Sequence, residues 1–449
     1  MRIGFFHARK HYLRQITTTL ETLHDRGHEL VFCASELKPK IRPPRSLRGQ
    51  ERISNAVYPA RGDDGLAPSQ RVLRALRDAV RYESPALSDA HATRDRAYDF
   101  LDDALARAGS PLTVSRPPAG QGLEWLDEVL REAERMLPPS APMMQFIREQ
   151  ELDVAVAVTR VNFGTNDAGV IRAAKAVGVP VGLVVWSWDN LTSKGLIHEL
   201  PDKLFVWNDL QAREAIDLHA VDPAAVEVTG APRFDSFWAR EPSASREELL
   251  AGWGLDPARK TVLYLCSSGF IVPDERAFVD EWAATIRRSD DSMLRDANIL
   301  VRPHPSLLDL PVWSEWEPDD PGISVPRVED GGQQLWDQIY ASDVTVALNT
   351  SAELEAAIVG RPVLTILIGE AAPGQHGTTH FDYLLAEEGG FVETADTLDE
   401  HLPQLVRTLH DDPLGDTRRA FVERFLRPRG IARPAGDELA FAIERLGGA

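Results

Sequence analysis

The sequence predicts an α/β protein with two doubly wound parallel sheets facing a cleft. One observation is length, because 449 residues exceed what a single hydrophobic core usually organises. Another is the alternation of short apolar runs with helical patterns in both halves, which is typical of parallel sheets. Between the halves lies APRFDSFWAREPSAS, which has two prolines and little periodicity and is interpreted as an interdomain linker.

The first half opens with a β-α-β unit. A short strand is predicted at 2–6, a helix at 12–26 and a second strand in HELVFCA. Residues 38–140 break this rhythm with a basic loop, helical patterns and several prolines, so a largely helical insertion is predicted there. The first domain is predicted at 1–232, and the strands after the insertion are DVAVAV, VPVGLVVW, KLFVW and VEVTG.

The second half repeats the alternation. Ser245 and Glu248 have the spacing of a capping box that would start its first helix. The second domain is predicted at 245–428, and the helix within 429–449 is expected to pack on the first domain. The predicted strands of this half are TVLYLC, NILVR, DVTVAL, PVLTILI and GFVE.

Composition narrows the classes of partner. The net charge of -20 argues against nucleic acid as a general partner, because phosphate binding needs a positive field. No apolar run reaches the ~18 residues that cross a bilayer, and the first residues lack a secretory pattern, so a cytoplasmic protein is expected. The basic loop at 38–52 is the candidate for peripheral membrane contact, but a solvated loop is the preferred interpretation. Cys33 and Cys266 lie in apolar runs and show no zinc-ligand spacing.

The stretch NTSAELEAAIVGRPV puts small polar residues between a strand and a helix. A helix start exposes unpaired N–H groups and the positive end of the dipole, so Asn349, Thr350 and Ser351 outline a phosphate site. Glu355 shares a helix face with Ser351 and would suit two vicinal hydroxyls, such as those of a ribose. Glu353 points elsewhere and would only balance the dipole. The alternative is an ordinary capped core helix with solvated glutamates.

Other candidates for the second domain also follow predicted strands. In VRPHPS, two prolines fix a turn that presents Arg302 and His304, both of which could donate to a diphosphate. A purely structural turn is the alternative. The remaining candidates lie in CSSGF and in the loop GEAAPGQHGTTHFDYL, and they are Ser267, Ser268, Gly269, His376, Thr379 and His380.

Two stretches of the first domain follow strands in the same way. HARKH offers Arg9 and His11, and His11 is the candidate general base. WSWDNLTSKG offers Trp186 or Trp188 for stacking on a sugar and Asp189 and Lys194 for binding hydroxyls or an anion. A surface histidine and buried tryptophans are the alternatives. The sequence contains no Gly-x-Gly-x-x-Gly, Walker or Asp-x-Asp motif, so a bound diphosphate would rely on helix dipoles and Arg/His rather than on a metal.

Three motifs, VLYLCSSG, RPHP and NTSAELEAAIVGRPV, resemble in this order the nucleotide-binding domain of GT-B glycosyltransferases. The last two are most similar to the branch that contains CDP-glycerol glycerophosphotransferases, capsule-polysaccharide transferases and UDP-N-acetylglucosamine 2-epimerases. The 38–140 insertion lies outside the resemblance, and SWDNLTSKG matches no general motif.

The resemblance implies two Rossmann-like domains, with the donor nucleotide in the second and the acceptor in the first. It implies that Glu355 holds the donor ribose and that Thr350 and Ser351 hold the diphosphate. His304, with Arg302, would stabilise the leaving group. The implied activity is metal-independent transfer of a sugar from a nucleoside diphosphate to a hydroxyl or amine, with no further cofactor. The alternatives are a CDP-glycerol-type glycerophosphotransferase, a nucleotide-sugar 2-epimerase, or a non-catalytic relative that acts as a binding module.

Overall fold

The structure is a computed structural model of the chain. It describes residues 1–7, 12–37, 39–59, 67–118, 122–159, 161–164, 167–269, 271–272, 275–327, 332–369, 375 and 379–448. The chain divides into two compact units, unit 1 (Met1–Asp235 with Arg424–Ala449) and unit 2 (Ser236–Glu423).

Unit 1 is built on a seven-stranded sheet. Its strands are β1 (Arg2–His7), β2 (Glu29–Ser35), β3 (Ile53–Tyr58), β4 (Val154–Thr159), β5 (Val181–Val185), β6 (Lys203–Val206) and β7 (Val226–Val228). The helices before the unit boundary are α1 (Thr17–Asp25), α2 (Ala67–Arg81), α3 (His91–Arg107), α4 (Glu124–Arg135), α5 (Ala141–Glu149), α6 (Asp167–Ala176) and α7 (Asp209–His219), and α8 (Asp235–Trp238) begins at the boundary. The strand order is β3-β2-β1-β4-β5-β6-β7, and every pairing is parallel.

Apolar side chains cover both faces of this sheet. On one face, Phe146 of α5 and Ile171 of α6 join the buried side chains of the strands. On the other face, Leu20 and Leu23 of α1 pack against strand residues such as Phe5. Burial on both faces explains why the strands are continuous apolar runs rather than alternating patterns.

The predicted insertion at 38–140 contains a strand as well as helices. α2, α3 and α4 agree with the helical pattern, but β3 pairs with β2 and forms one edge of the sheet. An edge strand has a neighbour on one side only, and β3 exposes Asn55 and Val57. It lacks the apolar run that marks the central strands, and the sequence pattern missed it.

Unit 2 is built on a six-stranded sheet. Its strands are β8 (Thr261–Leu265), β9 (Asn298–Arg302), β10 (Ile323–Ser324), β11 (Val344–Ala347), β12 (Val363–Ile366) and β13 (Val392–Ala395). Its helices are α9 (Arg246–Gly252), α10 (Glu275–Arg287), α11 (Ser292–Arg295), α12 (Pro311–Ser314), α13 (Gln333–Ala341), α14 (Ala352–Val359), α15 (Thr379–Asp382), α16 (Leu398–His410) and α17 (Gly415–Leu426), the last of which crosses the unit boundary. The strand order is β10-β9-β8-β11-β12-β13, again all parallel.

The last helix, α18 (Ala435–Leu446), belongs to unit 1. Its Leu439 and Ile443 are buried in the same cluster as α1. A Cβ on Gly436 would lie 2.5 Å from Thr18 Cβ, so this close approach to α1 requires glycine. Asp235 accepts hydrogen bonds from the N–H groups of residues 435 and 436 at 3.0 and 2.7 Å, which fixes the start of α18.

The division between the units falls at 235/236 and 423/424, compared with predicted boundaries of 232, 245 and 428. The stretch predicted as a linker holds the short helix α8. The predicted capping box of Ser245 and Glu248 is confirmed at the start of α9, with both reciprocal hydrogen bonds present.

Within the described ranges, no helix has the length and apolarity to span a bilayer.

Candidate functional site

In unit 2, the strand order reverses between β8 and β11. Ligands of doubly wound sheets bind outside the carboxyl ends of the strands at such a reversal. Here the turn after β8 meets the turn after β11, because the Ser267 hydroxyl donates to the Leu348 carbonyl at 2.8 Å. This edge of the sheet brings together most of the predicted donor-site residues that the structure describes.

The turn after β11 leads directly into α14. Asn349 adopts a left-handed backbone with φ 71°, which is uncommon for a residue other than glycine. Ser351 is the N-cap of α14 but makes no side-chain capping hydrogen bond, and both Thr350 and Ser351 are half-buried. The N–H of Ala352 donates to the Thr350 hydroxyl oxygen at 3.5 Å, a long contact, so the alternative of a helix capped by Thr350 stays open beside the phosphate role. The phosphate role of these residues stays a prediction.

Glu353 lies where the sequence analysis did not expect it. Its side chain is fully buried, so it does not simply balance the helix dipole from solvent. Its Oε1 accepts the N–H of Asn349 at 3.2 Å, from the residue that begins the left-handed turn. Burial raises the pKa of Glu353 to about 8, although the N–H groups of Asn349 and Thr350 act in the opposite direction. At neutral pH this carboxyl is mainly protonated.

Glu355 lies two residues further along α14 and is half-exposed. Arg302, at the end of β9, is buried, and its guanidinium donates to the side-chain oxygens of Gln338 at 2.7 Å and Gln334 at 3.2 Å. Burial lowers the pKa of Arg302, whereas the charge of Glu355 raises it. The two predicted ligands of the donor are thus electrostatically coupled, and α13 orients the arginine.

His304 follows β9 in the turn fixed by the two prolines, and it is half-buried. Its Nδ1 lies 3.1 Å from the backbone nitrogen and 2.7 Å from the hydroxyl of Ser306. A backbone N–H can only donate, so Nδ1 is an acceptor and the ring hydrogen sits on Nε2. Burial also lowers the pKa of His304. The ring is therefore a neutral imidazole at pH 7 with an N–H donor on Nε2, and Ser306 is a residue that sequence reasoning missed.

The CSSG turn after β8 is hydrogen-bonded to a second buried carboxyl, that of Glu275. The N–H of Ser267 donates to Glu275 Oε2 at 2.7 Å, and the Tyr264 hydroxyl donates to Oε1 at 3.1 Å. Burial raises the pKa of Glu275 to about 7. Ser268 and Gly269 are half-buried in this turn.

The sequence contains a signal for the burial of Glu275. It occupies the first position of an i, i+4, i+7 series whose other members, Val279 and Trp282, are buried. Glu353 likewise lies four residues before Ala357 on the buried side of α14. A carboxylate in an apolar stripe is the pattern that identifies both.

The loop after β12 is described in part. His376 lies outside the described residues, and the side chain of Thr379 is outside them as well. His380 is buried in α15. Gln375 anchors this loop to the strand, because its side chain donates to the Ile366 carbonyl at 2.9 Å and accepts the Ile368 N–H at 3.2 Å.

In unit 1, Arg9 and His11 lie outside the described residues. Trp188 is only 5% exposed, which leaves little of its ring for a sugar to stack on. Asp189 and Lys194 form an ion pair at 2.9 Å. An acceptor that binds to Asp189 or Lys194 would therefore meet a side chain that is already ion-paired.

The helix α2 of the insertion holds the loop that contains Asp189 and Lys194. Arg81 is buried and donates to the carbonyls of Leu191, Lys194 and Gly195, the last two at 2.9 Å. Asp78 accepts the N–H of Leu196 at 2.7 Å. The insertion therefore fixes the conformation of this loop, a connection that sequence spacing could not reveal because about 110 residues separate the partners.

Among the residues that the structure describes, no group of three His, Cys, Asp or Glu side chains is arranged to hold a metal ion. Metal independence and the absence of a cofactor stay predictions.

Neither a protein-family model nor a curated protein matches the sequence. Solved structures do match it. UDP-GlcNAc 2-epimerase from Methanocaldococcus jannaschii aligns with a TM-score of 0.51 and 11% identity, over 99% of this chain and 100% of the epimerase. Arabidopsis thaliana UGT89C1, complexed with UDP, aligns with a TM-score of 0.50 and 11% identity, over 99% of each chain.

The predicted fold class is confirmed: the chain has the two-domain, Rossmann-like GT-B fold shared by these glycosyltransferase and 2-epimerase neighbours. At 11% identity the similarity establishes the fold and not the activity.

Proposed function

We propose that this protein is a glycosyltransferase that moves a sugar from a nucleoside-diphosphate donor to a hydroxyl or amine acceptor without a metal. The observation that carries the proposal is the group of residues at the carboxyl edge of the unit 2 sheet. A neutral His304 with a donor on Nε2, a helix start after Asn349 and the coupled pair of Arg302 and Glu355 belong to that edge.

Each of these groups has a role that fits its chemistry. The N-terminal end of α14 carries the positive end of its dipole and would bind the diphosphate through the Thr350–Ser351 segment. Arg302 adds positive charge, and Glu355 would accept hydrogen bonds from the ribose hydroxyls. His304 would donate from Nε2 to a phosphate oxygen, and this needs no proton uptake by the ring.

In the proposed reaction, the acceptor oxygen attacks the anomeric carbon of the donor sugar. The bond between that carbon and the diphosphate oxygen breaks, and its electron pair leaves with the nucleoside diphosphate. The α14 dipole, Arg302 and His304 would stabilise the charge that develops there. The acceptor proton would pass to a general base, for which His11 is the candidate. Asp189 and Lys194 are the candidates for orienting the acceptor.

The alternatives share the donor site but differ in products. A glycerophosphotransferase acting on CDP-glycerol releases CMP. A 2-epimerase changes the sugar without releasing nucleotide and without an acceptor. A binding module would bind the nucleotide and leave it unchanged.

The test is to incubate the full chain in EDTA with UDP-, GDP-, TDP- and CDP-linked sugars and with CDP-glycerol, each with a mixture of sugar and lipid-linked acceptors. Products are read by mass spectrometry. We expect release of a nucleoside diphosphate together with a glycosylated acceptor. Release of CMP, a change of sugar stereochemistry without an acceptor, or binding without turnover would each replace the proposal with the corresponding alternative.

A further inference from the structure

We propose that Glu353 and Glu275 are positioning residues of the donor site. They would fix the turns after β8 and β11 through backbone hydrogen bonds, and a nucleoside diphosphate would bind when both carboxyls are uncharged. The inference rests on the proposed function and deepens it. Neither residue would touch the nucleotide. Their effect would pass through the backbone of Asn349 and Ser267 and through the electric field at the start of α14.

The first part of the argument is the contact between Glu353 and Asn349. Asn349 has a left-handed backbone, which costs free energy unless its surroundings hold it. The hydrogen bond from its N–H to Glu353 Oε1 provides such a hold, at 3.2 Å and out of solvent. Within the described structure, the other oxygen, Oε2, is buried without a hydrogen-bond partner. One oxygen is thus used to fix the turn, and burial disfavours a negative charge on the carboxyl more than the N–H groups of Asn349 and Thr350 favour it.

The second part is the equivalent arrangement one strand away. Glu275 is buried, and its Oε2 accepts the N–H of Ser267, the residue two positions past β8. Ser267 in turn donates its hydroxyl to the Leu348 carbonyl, next to Asn349. A continuous set of hydrogen bonds therefore runs from Tyr264 through Glu275 and Ser267 to the start of the second turn. These hydrogen bonds connect the turn after β8 to the turn after β11.

The third part is charge. A bound diphosphate brings negative charge to the start of α14, where the helix dipole attracts it. An ionised Glu353 in the first turn of the same helix would oppose it in a medium of low dielectric constant. The pKa of Glu353 is raised by burial to about 8 and that of Glu275 to about 7. Both acids are therefore neutral in mildly acidic solution and become charged as the pH rises through 7 to 8.

Other titratable groups at this edge do not give the same profile. His304 has its pKa lowered by burial, so it is already neutral in this range. Burial raises the pKa of Tyr264 and of Cys266 well above their usual values, which keeps both neutral. The surrounding elements also carry charged or titratable side chains, including Arg276, Asp280 and Glu281 of α10, Asp337 of α13, Arg302, Glu355 and His380. These are unchanged in the variants below and act as internal controls.

The experiment is isothermal titration calorimetry of the full chain with UDP, CDP, GDP and TDP in EDTA, at pH values from 6.5 to 9. The wild type is compared with Glu353→Gln and Glu275→Gln, which keep the hydrogen-bonding oxygen and cannot ionise. For the nucleotide that binds, we expect the wild-type Kd to rise about tenfold or more across the range. The Glu353→Gln variant should lose the upper part of the rise, near pH 8, and Glu275→Gln should lose the lower part, near pH 7.

A third variant, Glu353→Ala, separates position from charge. It loses the hold on Asn349, so it should bind more weakly than Glu353→Gln at every pH while staying folded by thermal denaturation. Parallel pH profiles for the wild type and Glu353→Gln would overturn the inference and leave the proposed function standing. Failure of the wild type to bind any of the four nucleotides at any pH would instead overturn the proposed function, and the inference with it.

Discussion

At the scale of single residues, two glutamates on one helix have opposite environments. Glu353 and Glu355 are two positions apart, about 200° around the helix, so one faces the protein when the other faces outwards. The inward carboxyl is buried and largely neutral at pH 7, and the outward one is half-exposed and coupled to Arg302. The helix start therefore carries less negative charge than its sequence implies, which suits a site for an anion.

Replacing Glu355 tests the ribose role. Glu355→Ala should weaken nucleotide binding by roughly 1–3 kcal/mol, because buried ribose hydroxyls would lose their acceptor. Calorimetry with the best-binding nucleoside diphosphate measures the change. Glu247→Ala is the matched control, since Glu247 is an exposed glutamate in the first turn of another helix. Equal affinities for the wild type and Glu355→Ala would remove the ribose role.

Replacing His304 tests the role of its Nε2 donor. Loss of one donor to developing charge typically costs about a hundredfold to a thousandfold in rate, so His304→Ala should lower kcat by that order. Affinity for the nucleoside diphosphate should fall much less. His304→Gln supplies an N–H donor on a different side chain and should recover part of the rate. An unchanged kcat in His304→Ala would exclude His304 from the reaction.

Positions of candidate residues could be predicted from the sequence, but their environments only in part. Asn349, Thr350 and Arg302 became candidates because small polar or basic residues follow predicted parallel strands there, and their ligand roles stay predictions. The burial of Glu353 was not predicted, although the residue shares the buried side of α14 with Ala357. The tautomer of His304 depends on a hydrogen bond from Ser306, which no pattern of residue types specifies.

At the scale of elements, buried side chains from neighbouring helices fix the conformation of the turns that follow the strands. The two turns at the unit 2 edge depend on Glu275 and Glu353, and the loop at 187–197 of unit 1 depends on α2. In each case a buried side chain satisfies backbone groups that an irregular segment leaves unpaired. Several of these contacts link residues far apart in sequence. Periodicity therefore predicts the helices and strands better than it predicts the side chains that fix the turns between them.

The strand β3 illustrates the same limit. Strands with neighbours on both sides were predicted from their apolar runs, because both of their faces are buried. β3 has one neighbour and a mixed sequence, so its place in the sheet comes from pairing with β2 rather than from its own pattern.

A substitution in α2 tests the support of the unit 1 loop. Arg81→Leu should lower the stability of unit 1 by about 2–4 kcal/mol, because three buried carbonyls lose their donor. Thermal and denaturant-induced unfolding of the full chain measure it. Arg107→Ala is the control, since Arg107 is exposed and pairs with Asp103 within α3. If Arg81→Leu were no less stable than this control, the loop would not depend on α2.

At the scale of the whole molecule, a net charge of -20 coexists with a predicted anion site. The conflict is resolved locally: the carboxyls nearest the proposed diphosphate position are neutralised by burial or coupled to an arginine. Each unit has a parallel sheet with its own buried clusters, and the residues proposed to bind the donor nucleotide belong to unit 2.

Stability should depend on pH in a way that follows from the two buried acids. Both have pKa values raised above the unfolded value, so the stability they confer is fully present below about pH 4.5. It is lost as the pH rises through about 7 for Glu275 and about 8 for Glu353. The Tm of the wild type should therefore fall between pH 6.5 and 9 more steeply than that of Glu353→Gln.

Calorimetric scans of the two proteins across this range measure the difference. The comparison is made above pH 6.5 because the lowered pKa values of His304 and His401 cause a loss of stability as the pH falls below that value. Identical slopes in the two proteins would mean that Glu353 does not titrate in the folded state.

The most direct test of the account is titration of the full chain with UDP, CDP, GDP and TDP in the presence of EDTA at pH 7. The account predicts that at least one of them binds at a single site without divalent metal and that Glu355→Ala weakens this binding. If none of the four binds to the wild type, or if binding is unaffected by Glu355→Ala and by His304→Ala alike, then a nucleoside diphosphate does not dock at the start of α14.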